Sequence, residues 1–176
     1  MRARIIMTAQ DLDLALQRIA LQILEKNRST DQLAIVGIHT FWVYLADRIR
    51  KIISRQTGIQ VYSGSLDITL YRDDWSLISQ NPQVKTTDIP FAVEAREIIL
   101  VDDVIFTGRT IRAAMDALMD YGRPHSIHLA VLVDRGGREL PIQPDYVGMS
   151  TGVLADERIQ VMMQENNGID QVVIES

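Results

Sequence analysis

Two periodicities alternate along this chain, and their order predicts its architecture. Leu12, Leu16, Ile19, Ala20, Ile23 and Leu24 recur at helical spacing. Thr8 with Asp11 three positions on resembles a helix start, although a capping box usually carries Glu or Gln there, and the stripe ends near Asn27. Leu33-Ala34-Ile35-Val36-Gly37-Ile38 is an apolar run of strand length, as expected of a parallel strand buried on both faces. Phe41 to Ile53 reads as the next helix, with Leu45, Ile49 and Ile52 turned inward. The pattern is extended from Ile59 to Tyr71, then polar and irregular from Arg72 to Ile89. A loop of that length in a compact domain signals either disorder or function. A strand from Glu97 to Asp103, a helix to Tyr121 and a strand from Ser126 to Asp134 resume the alternation. Arg158 to Gln164 and Asp170 to Ile174, joined through Asn166-Asn167-Gly168, read as a terminal hairpin or extended pair. The whole predicts an α/β fold with a mostly parallel sheet, right-handed crossovers and flanking helices.

Composition narrows this picture. With 176 residues, 47% of them hydrophobic, and no repeat, linker or low-complexity tract, the expectation is a single domain over 1–176 with a substantial core. The absence of cysteine excludes disulfide staples, thiol nucleophiles and thiolate metal sites, and suits a reducing compartment. The apolar run after Arg4 is too short for a signal peptide or a membrane span, so a cytoplasmic protein without a membrane partner is expected. A formal net charge of −5 gives no general attraction for nucleic acid.

The chemistry concentrates between Ile98 and Thr110. Ile98-Ile99-Leu100-Val101 reads as a buried strand, Asp102-Asp103 follow, and Val104-Ile105-Phe106-Thr107-Gly108-Arg109-Thr110 lead into a helix carrying Ile111, Ala114, Met115, Leu118 and Met119 on one face. Open α/β sheets bind ligands at this carboxyl edge. Free amides and the positive end of the helix dipole favour a phosphate there, the hydroxyls of Thr107 and Thr110 add donors, and Gly108 permits close approach. Two adjacent acids would repel that phosphate, so they call for hydroxyls or a cation. A ribose diol supplies the first and magnesium the second.

This segment resembles the phosphoribosyl pyrophosphate motif of type I phosphoribosyltransferases. Asp67-Ile68-Thr69-Leu70-Tyr71-Arg72-Asp73-Asp74, Gly122-Arg123-Pro124, and the run from Leu132 to Ile142 that contains Asp134-Arg135-Gly136-Gly137-Arg138 are similar to the PyrR family, pyrimidine operon regulators with uracil phosphoribosyltransferase activity. The similarity runs from about Ile5 to the C-terminus and is densest from Leu66 to Gly148. The resemblance implies the type I phosphoribosyltransferase fold with a small hood and a mobile loop around 72–89. It also implies a reaction of uracil with phosphoribosyl pyrophosphate that forms UMP and pyrophosphate with Mg2+ as cofactor, in a homo-oligomer.

Residue by residue, it implies that Asp102 and Asp103 hold the ribose hydroxyls, directly or through magnesium and water, and stabilise charge that develops on the ring. Thr107, Gly108, Arg109 and Thr110, with Val104, Ile105 and Phe106 before them, would cradle the 5′-phosphate. Arg72 would close over pyrophosphate, and Val133, Asp134, Arg135 and Ile159 would face the base. By sequence alone Arg72 reads equally as a solvated loop arginine beside Asp73 and Asp74, and Arg135 and Arg138 as partners of Glu139 or Asp145.

Departures from the family pattern matter as much. Its pyrophosphate loop usually reads Gly-x-x-Thr-Arg-Gly, whereas this chain reads Gly37-Ile38-His39-Thr40-Phe41-Trp42. Thr40 and Phe41 remain ligand-contacting candidates, but one lost arginine-phosphate hydrogen bond is worth about 1.5–3 kcal/mol. Trp42 reads as part of the helix face continued by Leu45, Ala46 and Ile49, and His39 as a loop residue rather than a metal ligand. RNA-gripping positions of the family correspond to Gln17, Leu21, Gly137, Gln143 and Met149, and Arg138 alone keeps its charge. No tight RNA binding is therefore expected. Three readings follow in order: a uracil phosphoribosyltransferase with weakened activity and RNA regulation, a catalytically impaired sensor of UMP or phosphoribosyl pyrophosphate acting through a protein partner, and a transferase for another base.

Overall fold

The structure is a computed structural model that describes residues 3–27, 30–38, 43–74 and 86–176. Its strands are β1 (Ala3–Met7), β2 (Leu33–Ile38), β3 (Tyr62–Leu66), β4 (Glu97–Ile105), β5 (Ser126–Asp134), β6 (Tyr146–Ser150), β7 (Arg158–Met162) and β8 (Gln171–Glu175). Its α-helices are α1 (Ala9–Lys26), α2 (Val43–Thr57), α3 (Arg109–Met119) and the short α4 (Gln164–Asn167). Strands β3-β2-β4-β5-β6 form a sheet paired in parallel throughout, and β1-β8-β7 form a separate antiparallel sheet, the hood.

Local chemistry accounts for the elements that the pattern predicts. Thr8 caps α1 in a reciprocal capping box in which Asp11 takes the role of the usual Glu or Gln, and Asn27 ends the helix. All six residues of β2 are buried because helices cover both faces of the parallel sheet. Side chains of β4 alternate between two cores. Ile99 and Val101 join α1, α2 and the hood residues Val161, Met163 and Val172, while Ile98 and Leu100 join Leu66 and the α3 residues Ile111, Ala114 and Leu118. Arg18 of α1 donates to the Gly148 carbonyl of β6, which ties the first helix to the sheet edge.

Two expectations need correction. The strand expected to stop at Asp103 continues to Ile105, because Val104 and Ile105 pair in parallel with Val133 and Asp134 of β5. The extended stretch from Ile59 to Tyr71 keeps only five strand residues, since Asp67 accepts from the Thr69 amide at 2.9 Å and turns the chain. β1 and β6 lacked a readable pattern. Three of the five β1 residues are exposed, and its place is decided by pairing with β8 at the other end of the chain. No helix among the described residues is long and apolar enough to cross a membrane.

Candidate functional site

The site lies at the carboxyl ends of β4 and β5. Asp102 pairs in register with Val131, which places its carboxylate within the buried end of the sheet, where it is 4% exposed. Its Oδ1 accepts from the Asp103 amide at 3.0 Å. Burial pushes the Asp102 carboxyl up to about 6, partly offset by that hydrogen bond and by the charge of Arg72. Burial and then the neighbouring Asp102 raise Asp103 well above the ordinary carboxylate range. Two acids held this way share their titration and gain most from a cation or from hydroxyl donors.

Beyond Ile105 the chain forms the loop that opens α3. Its carbonyls are taken by the segment after β5: Arg135 donates its amide to Ile105 at 3.2 Å, and Glu139 and Leu140 donate theirs to Thr107 at 3.0 and 3.1 Å. The amides of Thr107, Gly108 and Thr110 have no acceptor among the described residues. Gly108 sits at φ +91° directly before α3, a conformation that side chains disfavour. Thr107 and Thr110, at the N-terminus of α3, line a cavity of about 140 Å³ together with Arg72, Asp73, Asp74 and Arg109, a setting suited to an anion.

A second cavity, of about 380 Å³, lies between Asp103 and the hood and is lined by Ile159, Gln160, Val161, Met163, Asn166 and Asn167. Asp103 therefore faces the hood cavity while Asp102 feels Arg72 of the phosphate-sized one.

The expected site residues separate by role. Val104 and Ile105 belong to β4; Val104 is partly buried, and the Ile105 side chain is 1% exposed in the core. Phe106 is exposed, with Arg135 stacked 4.2 Å above its ring and Gly137 against it where any side chain would collide. Arg109 reaches Glu139 at 2.6 Å and Asp73 at 2.7 Å. Arg72 holds Asp74 at 2.8 Å. Among the base candidates, Ile159 lines the hood cavity and Val133 is buried in the core below it. Asp134 accepts from Arg138 at 2.6 Å and from the Gly136 amide at 2.9 Å. Arg138 thus pairs with Asp134, not with Glu139 or Asp145, and Asp145 pairs with Lys26 and His128. Thr40, Phe41 and Trp42 lie outside the described residues, as does most of the 72–89 loop. Gln160, Asn166 and Asn167 were not anticipated, because two adjacent asparagines before a glycine read as turn chemistry.

Among the described residues no group of three or more His, Cys, Asp or Glu side chains could enclose a metal. The donor set fits Mg2+ all the same. That ion keeps several waters and commonly binds through one or two carboxylates together with substrate oxygens, which is what a raised acid pair beside a phosphate-sized cavity offers.

Comparison with known proteins agrees with this geometry. Residues 6–163 match the model of the phosphoribosyl transferase domain. The Bifunctional protein PyrR of Syntrophobacter fumaroxidans is 48% identical over 173 residues, covering 98% of this chain and 93% of the relative. The Bifunctional protein PyrR of Thermus thermophilus is 52% identical over 167 residues, covering 95% and 92%. In shape, the chain is similar to the hypoxanthine phosphoribosyltransferase of Trypanosoma cruzi, with a TM-score of 0.72 at 15% identity, covering 97% of this chain and 95% of that one.

Proposed function

This chain belongs to the PyrR family of phosphoribosyltransferases, and on that premise we propose that it joins uracil N1 to the anomeric carbon of phosphoribosyl pyrophosphate, forming UMP and releasing pyrophosphate. One observation carries the reading: Asp103 of the acid pair lines the hood cavity, while Asp102 beside it feels the charge of Arg72, which lines the phosphate-sized cavity. A nucleotide has the same three parts, with ribose between phosphate and base.

In the proposed reaction, the N1–C1′ bond forms as the bond from C1′ to the pyrophosphate oxygen breaks, the N1 proton of uracil is released to solvent, and positive charge develops on the ribose ring in the transition state. The protein's task is positioning and charge stabilisation. Asp102 and Asp103 hold the ribose hydroxyls and sit close to the developing charge. The amides and hydroxyls of Thr107, Gly108 and Thr110 hold the 5′-phosphate, with Arg109 as a further donor once it leaves Asp73. Arg72 covers the pyrophosphate side, and Ile159 with Asn166 and Asn167 surrounds the base. Asp102 and Asp103 would hold Mg2+ through water or ribose hydroxyls, and the ion would supply neutralisation of phosphate charge when bound.

A second reading is favoured by Phe41 and Trp42, which stand where the family pattern has arginine and glycine. On it, the chain senses UMP or phosphoribosyl pyrophosphate with little turnover and signals to a protein partner. Both readings include weakened RNA regulation, because Gln17, Leu21, Gly137, Gln143 and Met149 offer no charge to a phosphate backbone, and both include a homo-oligomer. Incubation with phosphoribosyl pyrophosphate, Mg2+ and each of several bases, beside UMP calorimetry, tests the pair. UMP formation supports the transferase; UMP binding without turnover supports the sensor. Turnover with a purine or orotate instead sinks the uracil assignment.

A further inference from the structure

Arg48, in the second turn of α2, makes four hydrogen bonds to two carboxylates, Glu165 of α4 and Asp170 just beyond it. Its Nε and Nη2 reach Glu165 at 2.9 and 2.6 Å, and its Nη1 and Nη2 reach Asp170, both at 2.8 Å. A planar guanidinium engaged on two edges fixes direction as well as distance. Asp170 also accepts from the Gln164 amide at 2.7 Å, and the Asn167 side-chain oxygen accepts from the Met163 amide at 3.1 Å. Residues 163–170 thus form one closed turn, attached to α2 through Arg48.

The rest of the hood is placed by apolar burial. Val161, Met163 and Val172 share a core with α1 and α2. α4 itself contains no buried residue, so beyond its buried N-cap Met163 it is held by polar contacts. Yet its Asn166 and Asn167 line the cavity that Asp103 also lines.

We propose that Arg48 is a positioning residue for the nucleobase: its grip on Glu165 and Asp170 sets the separation between the amides of α4 and Asp103 that the base must fill. This rests on reading the hood cavity as the base site. The ion pairs themselves are partly solvated, with side-chain exposures of 23% for Arg48, 32% for Glu165 and 21% for Asp170. Their effect on folding is accordingly small, and their effect on base placement is what distinguishes them.

Arg48→Met keeps the apolar stem and removes the four hydrogen bonds, while Arg48→Lys keeps a charge that reaches one carboxylate at a time. Calorimetry with ribose 5-phosphate, UMP, CMP, IMP and GMP separates the base contribution from that of the sugar phosphate. The expected result is a loss of UMP affinity of roughly ten- to hundredfold in Arg48→Met, the scale of a misplacement near 1 Å. Ribose 5-phosphate affinity stays unchanged, and Arg48→Lys recovers part of the loss. In turnover, the KM for uracil rises while that for phosphoribosyl pyrophosphate holds. Equal losses for UMP and ribose 5-phosphate, or no loss, overturn the proposal; the double variant Glu165→Gln, Asp170→Asn gives the same readout should Arg48→Met fold poorly. A wild type that prefers another nucleotide overturns the uracil reading alone, and the variants are then compared on that nucleotide. A wild type that binds no nucleotide better than ribose 5-phosphate overturns both.

Discussion

The Asp73 carboxylate lies 2.7 Å from the guanidinium of Arg109, so the start of the 72–89 segment is fastened to the loop that opens α3. A carboxylate thereby borders the cavity best suited to a phosphate. The two anions compete for one cation. Asp73→Asn is expected to tighten ribose 5-phosphate binding roughly two- to fivefold, the scale of one exposed ion pair, and the gain should shrink as salt rises. Calorimetry at low and high ionic strength checks this; weaker binding by the variant would show that Asp73 supports the site.

The acid pair sets a pH dependence of opposite sense to that of most carboxylates. Asp102 is raised from 3.8 to about 6 on folding, so between those values the folded chain holds a proton that the unfolded chain releases. The stability this contributes is fully present below 3.8 and is lost as pH rises through about 6. The ligand-free protein should therefore melt lower at pH 8 than near pH 5, and Asp102→Asn should flatten that slope. Melting curves of both forms across this range decide it, and an unchanged slope in the variant would remove Asp102 as its source.

Ligand binding should move the other way. Hydroxyls and Mg2+ favour the ionised pair, so affinity for UMP with Mg2+ should increase as pH rises through about 6, whereas stability without ligand decreases. Titrations at pH 5 and pH 7.5 measure the difference. Equal affinities would mean that the pair does not engage the ligand in its charged form.

Gly108→Ala carries a backbone penalty, since a Cβ there meets its neighbours only at ordinary contact distance. The residue sits at φ +91°, and a Cβ there would lie 3.4 Å from Ile142 Cβ and 3.5 Å from Leu140 Cβ. Backbone strain of about 1–2 kcal/mol should lower the melting temperature by roughly 2–8 °C, with weakened ribose 5-phosphate binding as the loop shifts. Calorimetric melting and phosphate titration of the variant measure both.

Arg138→Met should destabilise more than a surface substitution does. The guanidinium donates to Asp134, to the Ile142 carbonyl at 2.9 Å and to the Phe106 carbonyl at 3.1 Å, with 13% and 18% of the Arg138 and Asp134 side chains exposed. Removing it leaves Asp134 short of its partner, at a cost of about 2–3 kcal/mol. Denaturant unfolding of Arg138→Met and of Arg138→Met with Asp134→Asn checks this, because the double variant should recover part of the loss.

What the amino-acid sequence determined by itself was whatever depends on near neighbours. The capping box at Thr8 and the bounds of β2 and β5 are each contained in a short stretch, where spacing alone sets burial and capping. Tertiary structure decided the partnerships. Phe106 and Gly137, Arg138 and Asp134, Arg109 and Asp73, and Arg48 with Glu165 and Asp170 follow from how strands and loops converge at one sheet edge. The hood cavity joins Asp103 of β4 to Asn166 and Asn167 of α4, side chains whose polarity in a linear reading marks only a turn. Ion pairs between long flexible side chains carry no periodicity, and a cavity forms only when separate elements close on it; neither leaves a pattern in neighbouring residues.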